Sequence, residues 1–422
     1  MSNLSSITLG ELARGYRGVS YTPDQLLEHM TDTSFTLLRS NNIDGGFLNF
    51  TKIQIVPDNV VNEEQILKSG DIAVCMSNGS KALVGKSAAY KNVIGRHTVG
   101  AFCSVFRPYN TPDSAFLSHV FQSNSFRKYI DFILAGSAIN NLKNCDIEEF
   151  ELINFAPNER LKIAEVLDVF NVQIRETEVI IAKLQQVKQG LSHDLLTRGV
   201  DENGQLRPSY QDAPELYQPS ELGWIPKDWE VCSLAKSINL ISGQHIESIL
   251  CNEESKGSPY FTGPSDFLGA TTLISKYTEY PQVMCETGDI LITVKGSGCG
   301  KVAISNCDAC ISRQLMAIQV NPKVTAFWLA LFQNHREKFN QMATGGNIPG
   351  ISRNQILELL IRTPKLDDEL IAIGNMITGI DAKINGEELS LEKLKLKKSG
   401  LMDDLLTGKV RVTDLITQAK AS

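Results

Sequence analysis

The sequence predicts an α+β protein built as an internal pseudo-two-fold repeat. It has two mixed α/β modules, each followed by a long helix, and the two helices pack on each other as an antiparallel coiled coil. Three observations predict this. The stretch GLSHDLLTRGV at 190–200 returns as GLMDDLLTGKV at 400–410, and an offset of 210 positions aligns everything from NERLKIAEVLDVF to the first ending with DELIAIGNMITGI to the second without a gap. Both copies carry apolar residues at heptad spacing, Leu167, Phe170, Ile174, Ile181, Leu184, Leu191 and Leu195 in one and Ile377, Ile380, Ile384, Leu391, Leu394, Leu401 and Leu405 in the other. The segments ahead of each copy also echo: GDIAVCMSNGSKALVGKSA at 70–88 resembles GDILITVKGSGCGKVAIS at 288–305, and LAGSAINNLKNCDIEEFELINFAP at 134–157 resembles ATGGNIPGISRNQILELLIRTP at 343–364.

In chain order, residues 1–157 form the first module, with an apolar strand, a Gly/Ser/Lys turn and a second short strand in its GDIAV segment. Residues 158–198 form the first helix, started by an acidic first turn after Pro157, running to about Thr197, with Gly190 as a place where it can break. Its seam is interrupted by Thr177 and Lys188, and the second seam at the same phase by Glu387 and Lys398, polar positions that suit register fixing. Residues 199–222 are rich in Pro, Gly and polar residues and read as a linker, whose lead-in to the second module docks Trp224 and Trp229 by packing. The second module spans 223–364, the second helix 365–410 with Gly400 as its possible break, and a tail follows at 411–422. A helix of roughly 38 residues rising 1.5 Å per residue is about 55 Å long, and cannot bury its apolar stripe alone.

Composition bounds the function. The 422 residues exceed one ordinary core. Neither a signal-peptide pattern nor a run of about 18 apolar residues is present, so a cytoplasmic location is expected. Nine scattered cysteines, with one CxxC at Cys307 and Cys310, suit reduced thiols better than disulfides or a zinc site. A net charge of −7 argues against a free-standing nucleic-acid binder, so any DNA surface is local or completed by a partner.

Catalytic patterns fail one by one. GSGCGK at 296–301 is not a Walker loop, because Lys stands at 295 and Val302 follows Lys301 ahead of a β-like run. The dinucleotide fingerprint is absent, as are HExxH, GxSxG and the tetrad of an amino-methyltransferase. No catalytic residue, metal or cofactor is expected. What remains are loops whose donors and acceptors suit phosphates and base edges. The candidates are Arg17, Ser77, Asn78, Ser80, Lys81, Lys86 and Arg96 in the first module, and Gln244, His245, Lys295, Ser297, Lys301, Arg313, Gln314, Asn347 and Arg353 in the second.

The duplicated endings LSHDLLTRGV and LMDDLLTGKV, the lead-in ELGWIPKDWEV and the GDILITVKGSGCGKVAIS pattern resemble the specificity subunit of type I restriction-modification enzymes, over nearly the whole chain. The resemblance implies two target recognition domains, each reading half of an interrupted double-stranded DNA sequence, held apart by the paired helices. It also implies two methyltransferase (modification) subunits as partners, restriction subunits added to them, and no catalysis by this chain. Two departures stand out. The first module lacks the GWIPKDWEV lead-in, and one ending reads LSHDLL where the other reads LMDDLL. A specificity protein of another restriction or phage-defence system, and a scaffold that binds no DNA, remain the alternatives.

Overall fold

The computed structural model describes residues 5–91, 93–135, 140–296, 298–343 and 349–421. The chain divides into two compact units, Met1–Glu178 with Leu389–Ser422, and Val179–Glu388, and the division falls inside both long helices, Pro157–Arg198 and Asp367–Leu406. Each unit therefore takes the beginning of one long helix and the end of the other. Gly190 and Gly400 do not interrupt them: both helices run through, since exposed helical glycine costs only about 1 kcal/mol. Among the described residues no helix is long and apolar enough to cross a membrane.

In unit 1 the central antiparallel sheet has the order Ala13–Arg17, Cys103–Pro108, Ile72–Cys75, Ser87–Ala89. Its inner strand IAVC is buried at every position, as the continuous apolar run demands of a strand covered on both faces. Helices Asp113–Phe121 and Asn124–Ala135 cover one face through the edge-on rings of Phe121 and Phe126. A second sheet, Gln54–Pro57, Ser34–Leu38, His97–Val99, is parallel between its last two strands. The chain start closes the unit, with Ser6–Thr8 paired to Glu151–Ile153.

Unit 2 repeats this plan with longer sheets. Asn239–Ser242, Leu315–Gln319, Ile290–Thr293 and Val302–Ile304 lie side by side in antiparallel register, with ILIT buried throughout, and Thr271–Thr272 and Phe267–Leu268 extend the edge. The companion sheet again has a parallel pair, Ser258–Phe261 with Ala309–Ile311. Trp229–Ser233 pairs with Leu360–Pro364, the place that the chain start fills in unit 1. The unit 1 strand in this place, Ser6–Thr8, is the shorter of the two.

The helix ends pack inside each unit. In unit 1, Ile163, Ala164 and Leu167 share a core with Met402 and Leu405, and Glu178 meets Lys395 at 3.3 Å. In unit 2, Leu195 and Leu196 share a core with Leu370, Ile373 and Ile377, and Lys188 meets Asp381 at 2.5 Å. The polar seam residues are accommodated individually: Thr177 donates to its own helix at the Gln173 carbonyl, 2.8 Å, and Lys398 donates to Gln122 at 3.3 Å while burial lowers the pKa of its ammonium.

Two stretches depart from the sequence reading. Residues 199–222 are packed rather than tethering, because Arg207 is buried against Glu369 and the Tyr217 hydroxyl donates to the Pro208 carbonyl at 2.5 Å. The tail at 411–422 is anchored by Arg411 and Val412 and forms the helix Thr413–Ala421. Of the two tryptophans, Trp229 is fully buried, whereas Trp224 is 45% exposed and stacks on Tyr210 with ring centroids 4.3 Å apart.

Candidate nucleic-acid interface

In unit 2 three of the nine sequence candidates meet at an open cleft of about 320 Å³. His245, Arg313 and Gln314 line it with Lys276, Tyr260 and Ser312. Two loops build its walls. The first leaves the central sheet where the Gln244 N–H donates to the Ile311 carbonyl at 3.0 Å, and returns through Cys251–Asn252, paired to Tyr277–Thr278. The second is the turn Ser312–Leu315, closed by the Leu315 N–H on the Ser312 carbonyl at 2.9 Å. Ser312 fixes that turn further, accepting from the Gln314 N–H at 3.1 Å and donating to the Thr262 carbonyl at 2.6 Å. Tyr260 accepts the Ile246 N–H at 3.2 Å, and burial raises the pKa of its hydroxyl, keeping it neutral. Lys276 and Arg313 give the cleft a cationic wall, with the His245 ring beside them and Glu253 as an acidic counterweight, which suits an anionic or hydrogen-bonding ligand.

The remaining unit 2 candidates are placed elsewhere. Lys295 is exposed and bridges to Gly350, and Lys301 is exposed at the start of Val302–Ile304. Arg353 is committed to the fold, donating to the Leu240 carbonyl. Ser297 and Asn347 lie outside the described residues. Tyr260, Lys276 and Ser312 were not singled out by sequence, since no local spacing marks them.

In unit 1 the candidates spread over two places. Ser77 and Asn78 sit together where the chain leaves the inner strand. Ser77 bridges to Asn141, and the Asn78 amide donates to Ser40 at 3.3 Å and accepts the Ser80 N–H at 3.0 Å. Arg17 lies across Cys103–Pro108 from them in the sheet, its Nε donating to the Ala101 carbonyl at 3.0 Å. Lys81 donates to the Asp131 carbonyl at 3.3 Å, Lys86 pairs with Asp44 at 3.8 Å, and Arg96 lies over the Phe35 ring at 3.9 Å, so these three cations have partners within the unit. Phe102, 67% exposed between Arg17 and Ser77, was not among the candidates, because the sequence was searched for polar groups.

The cysteines are free, and burial pushes the Cys285 thiol up to about 11, so it stays protonated and inert. Among the described residues no group of three or more His, Cys, Asp or Glu side chains stands close enough to hold a metal.

Comparison with known proteins shows what the chain is similar to. Residues 226–395 match the family model described as the type I restriction modification DNA specificity domain. The type I restriction enzyme EcoKI specificity subunit of Escherichia coli (strain K12) is 34% identical over 199 residues, 46% of this chain and 42% of that one. The MjaX specificity subunit of Methanocaldococcus jannaschii is 28% identical over 393 residues, 90% of this chain and 88% of that one. The chain is thus similar to type I restriction enzyme specificity subunits, through the matched domain at 226–395 and through these relatives. The aligned part spans less than half of the E. coli relative's length and also of the StySPI specificity subunit from Salmonella potsdam, which is 32% identical over 211 residues. Among solved structures, a chain from work on complex assembly and conformational transition of the type I R-M system superposes with a TM-score of 0.61 at 17% identity, covering 97% of this chain and 99% of that one. The type I system S subunit from M. genitalium gives 0.59 at 16%, covering 96% and 97%. Both share the fold.

Proposed function

We propose that the chain is the DNA-reading, non-catalytic subunit of a type I restriction-modification complex, in which each unit reads one half of a bipartite double-stranded target. The long helices act as an antiparallel coiled coil that sets the spacer, and partner modification and restriction subunits carry out adenine methylation and ATP-dependent cleavage. The observation that carries this reading is that each unit takes the start of one long helix and the end of the other. The unit 2 cleft, with His245, Lys276, Arg313 and Gln314, supplies the donors that base edges and phosphates require. An acidic chain with only local cationic surface fits a subunit whose partners complete the grip on DNA.

A ruler can be shortened. Removing one heptad from each helix takes out about 10 Å, equivalent to about three base pairs of duplex at ~3.4 Å each. Mapping N6-methyladenine in cells carrying the shortened chain is expected to return the same half-site letters at a smaller spacing. Altered letters at unchanged spacing would overturn the ruler.

A further inference from the structure

The same turn occurs once in each unit, with opposite chemistry on it. In unit 1 the turn Gly100–Cys103 is closed by the Cys103 N–H on the Gly100 carbonyl at 2.8 Å. In unit 2 the turn Ser312–Leu315 is closed by the Leu315 N–H on the Ser312 carbonyl at 2.9 Å. Each precedes the strand that pairs with the unit's inner strand, Cys103–Pro108 or Leu315–Gln319.

The two turns are gripped by matching bonds. The carbonyl at the third turn position accepts the N–H just past the inner strand, Phe102 from Met76 and Gln314 from Val294, both at 2.8 Å. On the other side a glycine runs underneath. Gly18 N–H donates to the Cys103 carbonyl at 2.9 Å and Gly243 N–H to the Leu315 carbonyl at 3.1 Å. A Cβ on Gly18 would stand 2.3 Å from the Gly100 carbonyl oxygen, and one on Gly243 2.3 Å from that of Ser312, so only glycine admits this approach.

The backbone of each turn is therefore fixed on both flanks, and the two central side chains are what varies. They are Ala101 and Phe102 in unit 1 and Arg313 and Gln314 in unit 2; Phe102, Arg313 and Gln314 are all exposed. A rigid platform carrying exposed, exchangeable side chains is the arrangement that base-edge reading needs. Arginine reads guanine through O6 and N7, glutamine reads adenine through N6 and N7, and an aromatic face offers apolar contact to the thymine methyl.

Resting on the DNA-reading role proposed above, we infer that positions 101–102 and 313–314 are equivalent specificity-determining positions. Arg313 and Gln314 select purine letters in one half-site, and Phe102 selects a thymine step in the other.

The test replaces the chain in its host by full-length Arg313→Ala/Gln314→Ala and, separately, Phe102→Ala, and maps N6-methyladenine genome-wide. The expected result is a loss of about tenfold in discrimination at one or two letters of one half-site for the first variant, and of the other half-site for the second, with spacing and the untouched half unchanged. Wild-type letters in both halves for both variants overturn the inference while leaving the DNA-reading role intact. A wild-type chain whose removal changes no methylated motif overturns that role and the inference with it. If a variant abolishes methylation, Arg313→Gln, Gln314→Arg and Phe102→Asn decide, because each exchanges one base-reading group for another of different preference: changed letters in a single half-site uphold the assignment, and unchanged letters overturn it.

Discussion

The first turns of the two long helices carry a glutamate at corresponding positions, Glu159 and Glu369, and the units surround it differently. In unit 1, Glu159 meets Arg411 in a bidentate pair, with Nε 2.5 Å and Nη2 2.6 Å from its oxygens, and Arg411 reaches it from beyond the end of the other long helix, over the Phe155 ring. The Arg411 side chain is 32% exposed, and the carboxylate beside it raises its pKa. In unit 2, Glu369 takes both Nη groups of Arg207, which follows the end of the first long helix, together with the Val200 N–H at 3.0 Å and the Trp229 indole N–H at 3.0 Å. Both side chains of that ion pair are only 10% exposed. Each unit thus fastens the start of one long helix to the chain just past the end of the other, but unit 2 does it with two more donors and a more buried arginine, whereas the glutamate itself is the more buried in unit 1, 4% exposed against 10%. The lesson is that a shared fastening can differ widely in cost of failure, because that cost depends on what is left behind when it breaks.

The widest gap between the units should appear when the glutamate is removed. Glu369→Ala leaves the buried Arg207 with only the Asp228 carboxylate at 3.7 Å and the Arg198 carbonyl, strands the Trp229 N–H, and is expected to destabilise unit 2 by about 3 kcal/mol. Glu159→Ala lets the partly exposed Arg411 turn to water, and should cost unit 1 less than half as much. Hydrogen exchange followed peptide by peptide separates the two units, and equal losses of protection would show that burial of the fastening does not matter.

None of these pairings was legible in the sequence, whereas the helices around them were. A heptad seam is a local period, so Leu167 to Leu195 and Ile377 to Leu405 announce themselves. Glu159 and Arg411 are 252 positions apart and share no pattern. The same limit applied to the interface. Sequence identified Arg313 and Gln314 as polar turn residues and could not see that Arg353, Lys81 and Arg17 each donate to a backbone carbonyl of their own unit. Phe102 escaped because its residue type was not the one sought, although setting VGAFC against ISRQL across the two halves of the sequence would have placed it opposite Gln314. The packed course of 199–222 rests on contacts between residues distant in sequence, the Arg207–Glu369 ion pair among them, which composition does not encode.

A second difference lies at the acidic residue that opens each inner strand. Asp71 is buried and held by Arg107, Nε to one oxygen at 2.8 Å and Nη2 to the other at 2.7 Å, an interaction that raises the arginine's pKa. Its counterpart Asp289 faces Gln319 at 3.5 Å. Arg107→Gln gives unit 1 the unit 2 pair, leaves a buried carboxylate without a cation and is expected to cost about 3 kcal/mol. Adding Asp71→Asn should recover most of that loss in the calorimetric transition, because the orphaned charge is gone. A double variant no more stable than Arg107→Gln alone would locate the loss in Arg107's other contacts, its bond to the Ile66 carbonyl and its stacking on Tyr16.

The smallest effect is expected at Asp289, and pH exposes it. Burial raises its carboxyl above the ordinary carboxylate value, partly offset by the Glu286 N–H and by Gln319. A folded-state pKa above the unfolded one means that the group's contribution to stability is fully present below the unfolded value near 4 and is lost as pH rises through the folded value. At neutral pH the charged Asp289 therefore costs unit 2 stability. Asp289→Asn keeps an acceptor for the Glu286 N–H and carries no charge, so it should be more stable than wild type near pH 7, by on the order of 1 kcal/mol. The advantage should shrink as pH falls, and close once wild-type Asp289 is protonated in both states. Urea unfolding from pH 7 down to about pH 4 measures the difference. A constant gap across that range would assign the effect to packing or hydrogen bonding at residue 289, and would remove titration as the distinction between Asp289 and its arginine-held counterpart in unit 1.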